Sequence, residues 1–167
     1  MATENSNTGY LVPFPLHYHN HKERPLHRLP FVGGKSPRHD EGISFWNVPA
    51  KGGYVGGGWT GEAAALMFLK HLRANGTSPG GSLQRIVMDM LSCHTDDALQ
   101  GQVVGFFSTL EPWLAEAARA FGAQLDALTE HTLVKRANAG LALDAEGERA
   151  VIKRYAKQAK ERRKNAE

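Results

Sequence analysis

Arg149, Lys153, Lys157, Lys160 and Lys164 recur at i, i+4, i+8, i+11 and i+15. On a helix this spacing sets five cations along one continuous face. Arg154, Arg162 and Arg163 widen it, and Glu161 is the one acid between Arg149 and Lys164. A row of cations matches a phosphate backbone and gains affinity from released counterions. The expected nucleic-acid-binding residues are therefore Arg149, Lys153, Arg154, Lys157, Lys160, Arg162, Arg163 and Lys164, with DNA or RNA as partner. The same row also suits a solvated helix face, or cations placed to complement a helix dipole.

His17, His19 and His21 alternate, so an extended chain would turn them to one side. His-x-His is a zinc-ligand geometry, with His27 or His39 as a third ligand. The surroundings (Lys22, Arg24, Arg28) also describe a solvated basic arm, and the three histidines stand only as weak metal candidates. His39-Asp40-Glu41 has acid–base residue types but reads as a loop. Cys93-His94 are neighbours that a helix would turn about 100° apart. Cys93 follows an apolar stripe, so a buried small residue is expected there.

Lys51 to Gly61 holds six glycines in eleven positions and leads into a helix. Such a loop can cradle a phosphate with its backbone N–H groups. Here no Gly-Lys-Ser/Thr closes it, Glu62 would repel an anion, and no alternation of strands and helices supports a dinucleotide site. A tight turn or flattened hairpin is expected, with Tyr54 and Trp59 packed on the core. Gly33-Gly34-Lys35-Ser36 resembles the tail of a P-loop, but Leu29 stands where the earlier glycine belongs and Pro37 bars the helix. No nucleophile elbow, HExxH or paired carboxylates on an apolar face appear. The expectation is a non-enzymatic protein with no cofactor.

These residues sit in an ordinary globular composition. The chain has 167 residues, 41% hydrophobic and 22% charged, with a net charge of +3 and one Cys. One cysteine excludes an intrachain disulfide and a four-thiolate zinc site. No secretory signal and no membrane span are expected, since the longest strongly apolar run is Ala63 to Leu69. A cytoplasmic protein follows as the expectation.

The charge is uneven: residues 51–130 carry 5 Lys/Arg and 8 Asp/Glu, residues 131–167 carry 10 and 5. Up to about residue 61, six prolines argue against helix. Ile43 to Val48 is the best strand candidate and Leu29 to Val32 a weaker one. Helices are expected over Gly61 to Arg73 and Ser82 to Cys93, with Leu83, Ile86, Val87, Met90 and Leu91 as a core stripe. A third, capped by Asp96 or Asp97, runs to Leu110. Pro112 opens a fourth, which carries Trp113, Leu114 and Phe121 on one face and ends or kinks at Gly122. Ala123 to Ala137 continues it. A final helix covers Asp144 to Lys164, its strip of apolar residues being Val151, Ile152, Tyr155, Ala156 and Ala159. The expected fold is mainly α: a compact helical domain of five to six helices, with an irregular N-terminal segment holding at most a small β-hairpin. The expected division is a flexible His/Pro-rich arm at 1–28, a helical core at 29–143 and a basic C-terminal helix at 144–167.

Phe45-Trp46-Asn47-Val48-Pro49, Gly52-Gly53-Tyr54, Gly56-Gly57 and the run Leu66 to Arg73 together resemble small uncharacterised proteins on integrative and conjugative elements of proteobacteria. The resemblance covers roughly residues 29–121, with Leu29-Pro30 upstream and Gly105-Phe106-Phe107 downstream. It implies mobile-element maintenance or regulation, and brings no fold, catalytic residue or ligand with it. The first expectation is a regulatory or accessory protein touching nucleic acid through residues 149–164. The alternatives are a protein-interaction module (an inhibitor or assembly factor) with Trp46, Tyr54 and Trp59 as an exposed patch, and a small metal-dependent enzyme using the His-rich arm.

Overall fold

A computed structural model describes residues 16, 18–20, 24–38, 42–77, 81–93 and 96–164. Among these the protein is mainly helical: α1 (Gly53–Asn75), α2 (Ser82–Met90), α3 (Asp97–Phe121), α4 (Ala123–Asp126), α5 (Glu130–Leu141) and α6 (Ala145–Lys164). A small antiparallel sheet joins β1 (Gly33–Lys35) to β2 (Ile43–Ser44), and a 3-10 turn spans Pro25–Arg28. None of the described helices is long and apolar enough to cross a membrane. The chain forms two compact units, residues 1–116 and 117–167.

The first unit is built on a crossing of α1 and α3 that the sequence reading missed. The glycine-rich stretch is not a loop. From Gly53 to Gly61 it is the first two and a half turns of α1, which starts behind Gly52 in the left-handed region (φ 88°). A Cβ on Gly57 or Gly61 would run into the carbonyl oxygen of Ala98 or Gln102. A Cβ on Gly101 or Gly105 would meet that of Tyr54 or Gly58. The two backbones touch through Gly57-x-x-x-Gly61 on one helix and Gly101-x-x-x-Gly105 on the other. Glycine inside a helix costs about 1 kcal/mol relative to alanine. Close packing along the whole seam offsets that cost, and only tertiary structure can supply it. With Gly57 and Gly61 facing α3, Tyr54 and Trp59 point outward, 51% and 72% exposed, rather than onto the core.

Below the glycine seam lies the core. Phe68 of α1, Ile86 and Met90 of α2, and Leu99, Phe106 and Leu110 of α3 meet Leu26, Leu29, Phe31, Val32, Phe45 and Trp46 from the N-terminal segment. Trp46 stands edge-on to Phe106 at 5.4 Å and lies 5.4 Å from Phe31. It is buried, which removes it from the proposed exposed patch. Leu26, within the stretch expected as an arm, is buried as well and joins the core.

The N-terminal segment has little secondary structure of its own, so side chains hold it. Among the described residues, strand pairing is limited to β1 and β2; Leu29 to Val32 and Phe45 to Val48 are irregular. Asn47 N–H donates to the Phe31 carbonyl at 2.8 Å. Asp89 of α2, wholly buried, accepts from Phe45 N–H and from Arg38 Nε, both at 2.6 Å. Buried Gln102 of α3 accepts from Trp46 Nε1 at 3.1 Å and donates to the Pro49 carbonyl at 2.9 Å. Each polar group is paired on both ends, which is what burial demands.

Several helix boundaries differ from expectation. α2 stops at Met90, and Leu91 is 75% exposed rather than core. Asp96 caps α3, accepting from Leu99 N–H at 2.7 Å. Pro112 lies inside α3 instead of opening a new helix. The N–H it lacks would pair with the Ser108 carbonyl, and Ser108 is exposed, where water can take that role.

In the second unit, the stretch expected as one helix over 123–137 is broken into α4 and α5 by Thr129. Its hydroxyl accepts from Thr132 N–H at 3.3 Å and caps α5. Asp144 Oδ1 accepts from Gly147 N–H at 2.7 Å and starts α6. No described residue of α4, α5 or α6 is buried. The apolar stripes read from the sequence are present but face solvent.

Candidate nucleic-acid interface and a basic pocket

α6 supplies the basic row. Its helix is specified locally, by the Asp144 cap, by Glu146 and Glu148 in the first turn and by the strong helix formers Ala, Lys, Gln, Glu and Arg from Ala156 to Lys164. Arg149, Lys153, Arg154, Lys157, Lys160, Arg162 and Lys164 are all exposed, and the Arg163 side chain lies outside the described residues. At 100° and 1.5 Å per residue, the five-cation row fills an arc of about 80° and runs ~22 Å along the axis. Duplex DNA presents about a dozen phosphates over that length.

Among the described residues, little neutralises the row. Lys157 Nζ approaches Glu161 at 4.0 Å across solvent, a pair worth little. Arg149 Nε donates to the Ala145 carbonyl at 3.0 Å, and the Arg154 guanidinium lies 5.8 Å from the Tyr155 ring centre. The structure thus brings the sequence-predicted cations together on one solvent-facing helix.

The metal candidates fare differently. His17 and His21 lie outside the described residues, as do His39, Asp40, Glu41 and His94. His27 packs edge-on to Phe45 at 6.0 Å. Among the described residues, no group of three His, Cys, Asp or Glu side chains could hold an ion.

His19 instead lines a cavity of about 510 Å³ together with Tyr18, Arg28, Lys70, His71 and Asn75. No described carboxylate lines it. His71 is buried; its Nδ1 lies 3.4 Å from Asn75 Nδ2 and its Nε2 has no hydrogen-bond partner. Burial lowers its pKa below the usual 6.5, so the ring is neutral at pH 7. This cavity escaped sequence reading because Lys70 and His71 sit in a run that reads as a buried helix, and residues 18–28 meet them only through the fold.

Cys93 is half-buried and its Sγ–H donates to the Asp89 carbonyl at 3.2 Å. Burial first, then the charges of Asp89 and Asp96, push the thiol upward in pKa, so it stays protonated and unreactive. Gly33-Gly34-Lys35 is strand β1, with Gly34 at φ 62°, and opens no helix.

No family model, no curated protein and no solved structure matches this chain.

Proposed function

We propose that this chain is a non-enzymatic accessory or regulatory protein that binds a nucleic-acid backbone through α6. The mobile-element setting implied by the resemblance fits such a role. One observation carries the reading: eight cations against one acid between Arg149 and Lys164, on a helix with no described buried residue. Charge concentrated on a helix that contributes nothing to a core is available to an outside partner. Backbone contact is favoured over base readout, because a solvated row of flexible lysines neutralises phosphates without fixing a base edge.

The test is fluorescence anisotropy on duplex and single-stranded probes at several salt concentrations. Replacing Lys153, Lys157 and Lys160 with Gln keeps helix propensity nearly constant. Affinity falls for all sequences alike, and the slope of log affinity against log salt drops by roughly two to three. Failure of the unmutated chain to bind either probe below about 100 μM ends this reading. The protein-interaction alternative is supported by exposed Trp59, which lines an apolar groove of about 350 Å³ with Phe31, Ala63, Ala64 and Met67.

A further inference from the structure

His71 of α1 is a buried donor without an acceptor. Its side chain is 7% exposed, and its ring stacks on that of Phe68 with centres 6.4 Å apart. Asn75 Nδ2 donates to the His71 carbonyl at 3.0 Å and lies 3.4 Å from His71 Nδ1. An amide nitrogen only donates, so Nδ1 is the acceptor and the neutral ring carries its proton on Nε2. Among the described residues nothing accepts from Nε2. Burial makes such a donor costly until an acceptor reaches it.

The cavity of about 510 Å³ that His71 lines has two walls. Met67, Lys70, His71 and Asn75 stand at i, i+3, i+4 and i+8, one face of α1. Residues 18–20, 25, 28 and 29 form the other wall, tied together where His19 N–H donates to the Arg28 carbonyl at 3.0 Å. Arg28 and Lys70 therefore line the cavity from opposite walls, and neither pairs with a described carboxylate. His71 also lines a neighbouring cavity of about 330 Å³ with Arg24 and Arg85, again with no described carboxylate. Uncompensated cations in a cleft concentrate anions there.

Charge selects the ligand class. A phosphate monoester carries about two negative charges at pH 7 and three strong acceptor oxygens. Two cations and a neutral N–H donor match it, whereas a carboxylate balances one cation and leaves the other. A volume of this size takes a small organic molecule. Leu29 and Met67 offer its body apolar contact. We propose that this cavity binds a small organic phosphate monoester, its phosphate held between Arg28 and Lys70 with His71 Nε2–H as a further donor. The site lies wholly in the first unit and stands whether or not α6 binds nucleic acid.

Titration of the full chain with phenyl phosphate at low ionic strength tests it, read by calorimetry and by the imidazole nitrogen resonances. A dissociation constant below about 1 mM is expected, with the His71 Nε2 resonance moving on binding. Inorganic phosphate binds more weakly for want of an apolar body, and benzoate, one charge short, about tenfold more weakly or worse. Arg28→Gln and Lys70→Gln each weaken phenyl phosphate by about tenfold or more. Both side chains are exposed, so an unchanged thermal transition serves as the folding control. The protein with Gln at 153, 157 and 160 binds phenyl phosphate as the unmutated chain does, which separates this site from α6. No binding of phenyl phosphate at about 10 mM overturns the proposal. Binding that Arg28→Gln and Lys70→Gln leave unchanged, that spares the His71 resonance, or that benzoate equals also overturns it.

Discussion

Alanine at Gly61 should destabilise this protein, although alanine is the better helix former. In an uncrowded helix interior the exchange gains about 1 kcal/mol. At Gly61 the added Cβ would lie 2.8 Å from the carbonyl carbon of Gln102 and 2.8 Å from Phe106 N, and closer still to the Gln102 oxygen. Carbon contacts prefer about 3.5–4.0 Å, so α1 and α3 must part by roughly 1 Å. A gap of that size forfeits a quarter to a half of each contact's attraction, here across Phe68 and Phe106, whose rings lie 6.1 Å apart. Overpacking of this kind costs about 1–3 kcal/mol. At about 3 °C per kcal/mol for a chain of this size, the melting temperature falls by several degrees. Gly140 of α5, with nothing within 4 Å of its added Cβ, is the internal contrast. There alanine should be neutral or raise helicity. Once the helices have parted, Gly101→Ala added to Gly61→Ala should cost less than it does alone. Calorimetry on the two single variants and the double variant decides it. A Gly61→Ala protein as stable as the unmutated one, or more stable, would refute the backbone-to-backbone crossing.

Two further outcomes follow from the buried polar groups. Asp89→Ala leaves Phe45 N–H buried without an acceptor and Arg38 without its partner, at a cost of about 2–4 kcal/mol by urea denaturation; a loss under about 0.5 kcal/mol, typical of a surface position, contradicts this anchor. His71 has a folded-state pKa below 6.5, so the unfolded chain binds more protons in that range. Its contribution is full above pH 6.5 and is lost as pH falls toward and through the folded pKa, so stability rises with pH there. His71→Gln should show a shallower rise, and an identical pH profile for both proteins refutes the burial argument.

The sequence by itself determined what depends on neighbours along the chain. The periodic stripe around Ile86 and Met90 marks a helix wherever it packs. The Asp144 cap and the cation spacing place α6 and its row within a residue of where they stand. The hairpin is legible because prolines and glycines exclude helix and Ile43 begins a β-branched and aromatic run. Tertiary structure alone decided the rest. Glycine's local preference argues against a helix at 53–61, and only the backbone of α3, some forty residues further on, makes glycine the residue that fits. Asp89 and Gln102 look like surface residues in sequence. Phe45 N–H and the Trp46 indole, reached only through the fold, satisfy them inside. The apolar stripe of α6 predicts a buried face equally well for a core and for an interface. Periodicity reports which side of a helix avoids water, whereas the chain's path in space decides whether its own residues come to cover it.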